Sequence, residues 1–312
     1  MRPFTFIRKL PQNSKWILEF TQGFHSAHLF QVKKAIVHKK TPFQIVDIVN
    51  LFHYGKTLFL DERLQASEVD EFIYHETIVH PALLLHPDPQ KVLVIGGADG
   101  GAINQVLRHK SVKEVILVDL DEELVKLCQK HLPSISKGAF INPKVKTFYG
   151  DGRKFLEKYP GEFDVIISDL VAPLIDPPSY LLFTKEFFKI VFNKLNPEGV
   201  FSLQADGASS IDCKNFAVIY NTVKKVFPVC RPLHAYIPCY DCPWGFIVAS
   251  KKSDPLKISG SQIKKRLEAR GIRGLKFYDG RIHQSLLTLP KNLLFEMEKQ
   301  KRVITDKNPI LT

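Results

Sequence analysis

The sequence predicts an α/β protein: a doubly wound sheet preceded by a small antiparallel β domain. Three observations carry that expectation. Beyond residue 90, short apolar strands alternate with amphipathic helical stretches, the pattern of a sheet covered on both faces. Residues 15–65 hold only short apolar or alternating runs with turn signals between them. Finally, Asp99, Asp119, Asp151 and Asp169 each follow an apolar run: K-V-L-V-I (91–95), E-V-I-L-V (114–118), V-K-T-F-Y (145–149) and D-V-I-I-S (164–168). Ligands of such sheets bind beyond the carboxyl ends of the strands. A row of carboxylates there outlines a pocket for a cation that also carries hydroxyls.

In the N-terminal part, W-I-L-E-F, H-L-F-Q-V, Q-I-V-D-I-V-N-L-F and T-L-F-L-D read as strands, with G-F-H-S, K-K-T-P and H-Y-G-K as turns. The period changes at Glu68, where Val69, Phe72, Ile73, Glu76, Val79 and Pro81–Leu84 fall on a helical register before H-P-D-P-Q breaks it. Domain limits of 1–67 and 68–312 follow. The second domain then runs strand 91–95, helix 101–109, strand 114–118, helix 121–131, strand 145–149, helix 152–158, strand 163–168, helix 184–195 and strand 199–204. Thr184 is the expected cap of its helix. A helix at 212–226 and strands near 232–237 and 245–249 follow, the strands suited to closing the sheet antiparallel.

The 312 residues carry 45% hydrophobic and 24% charged side chains, the balance of an ordinary globular protein. No apolar run nears the roughly 18 residues that span a bilayer. The opening M-R-P-F-T-F-I-R-K-L lacks a signal-peptide core, so the expected compartment is the cytosol. Net charge is +12, and the segment from Lys251 onward holds most of the excess. With no aromatic platform beside it, S-Q-I-K-K-R-L-E-A-R (261–270) reads as a solvated helix face, not a nucleic-acid site. The 5 cysteines are an odd count, against a disulfide framework. Cys239-Tyr-Asp-Cys242 has the spacing of half a zinc or redox site, but two further ligands would have to come from Cys230 or His234. Reduced loop thiols are the expectation.

Gly96-Gly-Ala-Asp-Gly-Gly101 follows a strand and opens a helix, where glycines permit a tight turn and close approach to a ligand. It departs from the dinucleotide fingerprint at Ala98, and Asp99 would repel a phosphate. NAD is therefore not expected. Asp119 ends the next strand, where an acid can accept hydrogen bonds from ribose hydroxyls. Asp151, within G-D-G, could take an adenine amino group or simply cap the next helix. Capping is the expected role of Asp121.

The motifs V-L-V-I-G-G-A-D-G-G, V-D-L-D, Y-G-D-G, F-D-V-I-I-S-D and I-P-C-Y-x-x-x-W-G-F, with D-E-F-I-Y-H-E upstream, occur in the order and spacing of one family. The chain resembles the polyamine aminopropyltransferases, the spermidine synthase family, from Trp16 to the closing V-I-T-D-K-N-P-I. The resemblance implies a Rossmann-like catalytic domain of the S-adenosylmethionine-dependent methyltransferase type. It also implies transfer of an aminopropyl group from decarboxylated S-adenosylmethionine to an amine, with methylthioadenosine released. The donor is a co-substrate, and no cofactor is expected.

Carried over residue by residue, the resemblance makes Asp169 the base and Tyr74 its partner in orienting the amine. Gln204 and Tyr240 line the acceptor channel, His75 is a polar substrate contact, and Trp16 and Glu19 flank the far end of the acceptor. Asp99 holds the donor ammonium, Asp119 the ribose, Asp151 and Gly152 the adenine, and Gln44 and Pro177 the nucleoside. Homodimers or homotetramers are implied.

The loop after Asp169 departs from the usual D-[ST]-x-D-P. It reads Asp169-Leu-Val-Ala-Pro173, with Ala172 in place of the second acid, and is about two residues longer, with Asp176 as a possible substitute. Its D-L opening resembles the thermospermine-forming branch. Asp241 is an extra acid in P-C-Y-D-C-P. Putrescine is the default acceptor, with agmatine, cadaverine, spermidine or a longer amine open. A methyltransferase, a non-catalytic relative and a basic nucleic-acid module are the competing readings.

Overall fold

The computed structural model describes residues 14–21, 26–171 and 179–310. The chain forms two compact units, Met1–Val69 and Asp70–Thr312. Among the described residues, no helix is long and apolar enough to cross a membrane.

The first unit is a five-stranded antiparallel sheet in sequential order: β1 (Lys15–Thr21), β2 (Ser26–Lys40), β3 (Ile45–Leu51), β4 (Gly55–Leu60) and β5 (Arg63–Ser67). β2 is far longer than the apolar run 28–32. Register shifts between Val32 and Lys34 and between Ala35 and Val37 keep it paired to β3 through the basic K-K-A-I-V-H-K-K stretch. β5, R-L-Q-A-S, carries too little hydrophobic pattern to read as a strand, yet it pairs with β4. Val46, Ile48, Leu58 and Phe59 are buried, and Phe30 meets Phe59 edge-on at 6.0 Å. Glu19 on β1 is buried too, and its carboxylate accepts the Leu64 N–H at 2.8 Å, which ties the first strand to the last. Burial raises its pKa despite that bond.

The second unit opens with α1 (Glu71–Leu85), a helix buried almost all round, with Ile78, Val79, Leu83 and Leu84 fully enclosed. β6 (Lys91–Gly96), α2 (Gly101–Leu107), β7 (Glu114–Asp119), α3 (Glu122–His131), α4 (Pro133–Ser136), β8 (Val145–Tyr149), α5 (Gly152–Lys158) and β9 (Phe163–Asp169) follow. Then come α6 (Lys185–Lys194), β10 (Leu195–Gly207), α7 (Lys214–Lys224), β11 (Val229–Ile237) and β12 (Cys242–Ser250). The C-terminal helices are α8 (Gly260–Ala269), α9 (Gly280–Leu286) and α10 (Lys291–Lys299). Thr184 and Asp121 cap their helices as the sequence suggests.

These strands form a seven-stranded sheet in the order β11-β12-β10-β9-β6-β7-β8, with β12 antiparallel to both its neighbours. The parallel strands β6, β7 and β9 are buried on both faces, while the edge strand β8 is largely exposed. Leu93, Ile95, Ile116, Val118, Ile166 and Leu203 join the cluster built on Phe187, Phe188 and Phe216, while Val92, Val94 and Leu117 are enclosed as well. From β6 the chain first moves outward through β7 and β8, then returns to lay β9 on the other side of β6. The order therefore reverses between β6 and β9, which opens a crevice at their carboxyl ends.

The basic C-terminal region differs from expectation. Lys264 and Lys265 are exposed, but Arg266 and Arg270 are not a solvated face. Arg266 donates to the Leu84 carbonyl, and Arg270 donates to those of Leu83, His86 and Pro87. They satisfy the last carbonyls of α1 and place positive charge at the negative end of its dipole. Burial lowers the Arg270 pKa to about 10, still charged at neutral pH.

Candidate active site

Close packing sets the geometry of the crevice. Gly96 pairs with Asp169 across β6 and β9. Gly96 and Gly97 both have φ of 78°, a conformation that suits glycine. A Cβ on Gly96 would lie 2.3 Å from the Asp169 carbonyl oxygen, and one on Gly97 would lie 2.9 Å from Asp169 Oδ2. The two glycines therefore let the Asp99 turn lie directly against the end of β9.

Around that turn, four groups from three elements meet. Tyr74, on α1, donates its hydroxyl to Asp169 Oδ1 at 2.8 Å. His75 lies next to it, 2% exposed, with Nδ1 2.8 Å from Glu71 Oε2 and Nε2 3.4 Å from Asp99 Oδ1. Asp99 Oδ1 also accepts the Gly101 N–H at 2.8 Å. Tyr240 packs edge-on to Tyr74 and to Trp244, while Phe246 backs Tyr74 at 5.1 Å.

The electrostatics divide these acids into two kinds. Burial raises the Asp169 carboxyl to about 6; His75 pulls it down, Asp99 pushes it up and the Tyr74 hydrogen bond lowers it. Burial likewise lifts Asp119 to about 6, partly opposed by its bond from the Asp121 N–H. Asp99 goes the other way. Burial opposes its charge, but His75 and the Gly101 N–H outweigh that, and its pKa falls. Burial also works against a charged His75, yet Asp99 and Glu71 raise its pKa well above the ordinary value. The site thus holds one strongly ionised carboxylate, Asp99, beside one whose proton affinity suits a base, Asp169.

The spermine/spermidine synthase domain matches residues 71–258, and the spermidine synthase tetramerisation domain matches residues 15–68. The chain belongs to the spermine/spermidine synthase family. It is 37% identical to a polyamine aminopropyltransferase of Sulfurisphaera tokodaii, over 95% of this chain and 97% of that one. It is 41% identical to polyamine aminopropyltransferase 2 of Hyperthermus butylicus, over 90% and 92%. Spermidine synthase from Thermotoga maritima superposes with a TM-score of 0.85 at 31% identity, over 95% of this chain and 98% of that one. A spermidine synthase in complex with the transition state analogue AdoDATO superposes at 0.84 and 30% identity, with the same coverage. The chain is an aminopropyl-transferring enzyme of this family.

In this synthase-family site the expected residues fall into three groups. Asp169, Tyr74, Asp99, His75 and Tyr240 converge as described. Asp119 ends β7 and Gly152 opens α5; a Cβ on Gly152 would strike Ile95 at 2.5 Å. Asp151 caps α5, its Oδ1 accepting the Arg153 and Lys154 N–H groups. Gln204 is buried and occupied by the protein itself. It donates to the Leu170 carbonyl at 2.8 Å and accepts from the Asp206 N–H and the Trp244 indole. It shapes the chain leaving β9. Trp16 and Gln44 belong to the N-terminal unit, where Gln44 closes the Thr41 turn. Pro177, Ala172 and Asp176 lie outside the described residues.

Glu71 is a site residue that the motifs contained without disclosing. The signal was its i, i+4 spacing to His75, which places the pair on one helix face. Gly101 is the other. A Cβ there would lie 2.1 Å from His75 Cε1. Gly101→Ala is expected to displace the ring, destabilise the fold by about 1–3 kcal/mol as overpacking does, and weaken donor binding. Calorimetric titration and thermal melting would check both, and unchanged donor affinity would refute the packing argument.

Proposed function

We propose that this enzyme transfers the aminopropyl group of decarboxylated S-adenosylmethionine to putrescine, giving spermidine and methylthioadenosine. The observation that carries this reading is the Tyr74–Asp169 hydrogen bond, set against the ionised Asp99 where the strand order reverses. The sulfonium is already a good leaving group, so the protein's task is to align a nucleophile and accept its proton. Alkylammonium ions resemble lysine, with a pKa of about 10.4, so the attacking amine must be deprotonated in the site. Asp169 takes that proton while the amine nitrogen bonds the methylene carbon beside sulfur. The C–S bond breaks and its electron pair stays on sulfur.

Asp99 receives the donor ammonium, which also sets the choice of donor: intact S-adenosylmethionine carries a carboxylate near that nitrogen, and a fixed anion opposes it. Asp119 suits the ribose hydroxyls, and Asp151 and Gly152 border the adenine. The chemistry calls for no cofactor. The N-terminal sheet, which matches a tetramerisation domain, supports assembly into a homo-oligomer.

Incubation with decarboxylated S-adenosylmethionine and a panel of putrescine, cadaverine, agmatine and spermidine, with products read by mass, tests the reading. Methylthioadenosine formed fastest with putrescine is the expected outcome. Preference for a longer amine would move the assignment of acceptor, and methyl transfer from intact S-adenosylmethionine would overturn the reaction class. Asp99→Ala is expected to weaken the decarboxylated donor by at least about tenfold, in line with a lost charged hydrogen bond of 1.5–3 kcal/mol. Intact S-adenosylmethionine should be far less affected, so competition binding should show the discrimination narrowing.

A further inference from the structure

We infer that Asp70 is a positioning residue for the amine acceptor: its carboxylate pins the turn between β11 and β12, so that Tyr240 stands in a fixed place beside Tyr74. This rests on the reading of Tyr240 as a wall of the acceptor channel. It also gives a role to the first acid of D-E-F-I-Y-H-E, which the reaction itself does not use.

Asp70 precedes α1, the position where an aspartate ordinarily accepts an N–H of the first helical turn. Its side chain makes no such bond. It is 4% exposed, and its Oδ2 accepts the Cys239 N–H at 2.7 Å, across 169 residues of chain. The motifs D-E-F-I-Y-H-E and I-P-C-Y-x-x-x-W-G-F therefore meet at this bond.

The hairpin shows what the bond fixes. Pairing of β11 with β12 ends at Ile237 and Cys242, and Pro238–Tyr240 forms a 3₁₀ turn beyond the ladder. The Asp241 N–H closes that turn on the Pro238 carbonyl at 3.1 Å. Such local bonds set the shape of the turn but not its tilt toward α1. Proline has no N–H, so Cys239 offers the first donor of the turn. Asp70 takes it with a carboxylate, the stronger kind of acceptor. Asp70 also lies four residues before Tyr74, one helical turn away on the same side of α1. The anchor and the ring that Tyr240 meets are thus carried by one rigid element. Tyr240 sits edge-on to Tyr74 at 6.4 Å between centroids and to Trp244 at 4.9 Å. Without the tie, the turn is free to tilt on the end of the ladder, and a displacement of about 1 Å is enough to spoil the alignment of a reacting group. The donor acids Asp99 and Asp119 hang on β6 and β7 instead, so the nucleoside should not feel the loss.

The test uses the full-length protein and whichever amine of the panel the wild type prefers. Asp70→Ala is expected to raise the KM of that amine at least about tenfold, in line with a lost charged hydrogen bond, while methylthioadenosine affinity measured by calorimetry stays at the wild-type level. Asp70→Asn keeps an oxygen where Oδ2 stands and should recover most of the loss. Asp70→Ser can cap α1 locally but is too short to reach Cys239. It should show the raised KM with the fold intact, which covers an alanine variant that fails to fold. With ¹⁵N-cysteine labelling, the Cys239 amide should exchange slowly in the wild type and in Asp70→Asn, and faster in Asp70→Ser. A wild-type KM in Asp70→Ser would overturn the proposal. So would methylthioadenosine weakened as much as the amine, the mark of general damage, or an Asp70→Asn enzyme as poor as Asp70→Ser, which would make the charge and not the placement matter. If the wild type released methylthioadenosine with none of the amines, the functional reading would fall first and take the proposal with it, while amide exchange would still report whether Asp70 holds the turn.

Discussion

Asp169→Asn is expected to lower kcat by roughly 10²–10⁴-fold, the range for a lost general base, while methylthioadenosine binding stays at the wild-type level. Asparagine has the same shape and can still accept the Tyr74 hydroxyl at the position of Oδ1, 2.8 Å away in the native site. It cannot take a proton from an ammonium. The loss should therefore appear in turnover and not in nucleoside affinity, which separates it from damage to the fold. The wild type should show the same group through pH. Because burial raises this carboxyl to about 6, the ionised form needed to accept a proton is lost as pH falls through that value. Its kcat/KM should then drop about tenfold per unit on the acid side. The acid limb of kcat should lie lower, since a bound sulfonium and ammonium favour the carboxylate. Steady-state rates of methylthioadenosine release across pH 5–9 measure both. An Asp169→Asn enzyme that turns over at the native rate would remove Asp169 as the base.

The second large effect concerns stability. Glu76, the residue after His75 on α1, is 1% exposed, and its carboxylate accepts the N–H groups of Lys276, Phe277 and Tyr278 at 2.9, 2.9 and 2.7 Å. Glu76→Ala would leave three backbone donors unpaired at a cost of about 1–3 kcal/mol for each that water cannot reach. A net loss of at least about 3 kcal/mol is expected, a large part of the roughly 5–15 kcal/mol that holds a domain folded. Glu76→Gln keeps an acceptor oxygen and should lose less. Guanidinium unfolding gives the comparison through the shift in midpoint at constant slope. A loss under about 1 kcal/mol in the alanine variant would show that water replaces the carboxylate. The segment that Glu76 holds carries Tyr278, whose ring lies against His80 and whose hydroxyl bonds His283 at 2.6 Å. The loss should therefore spread into that buried cluster.

Much of the architecture was legible because its physics is local. The alternation of apolar strands with capped helices needs only a dozen residues at a time to be seen, and Thr184 and Asp121 cap their helices through neighbours three residues away. The same holds for the acids at the strand ends. Where signals fade, reading fails. β5 is nearly polar, and β2 breaks its alternation at two bulges. One carboxylate at Asp151 can suit both capping and ligand binding, and only backbone geometry shows its Oδ1 on the Arg153 and Lys154 N–H groups.

By itself, the sequence determined the kind of protein this is: a glycine-rich turn, a row of strand-end acids and a spaced set of motifs mark an aminopropyltransferase before any fold is drawn. What it could not determine was the use of each charge. Whether Glu71 faces His75, whether Arg270 meets solvent or the carbonyls of α1, and whether Gln204 serves a ligand or the Leu170 backbone all depend on partners distant in sequence. Proton affinity depends on the same things. Asp99 and Asp169 are identical side chains, and only burial and the placement of His75, Tyr74 and the Gly101 N–H drive one pKa down and the other up.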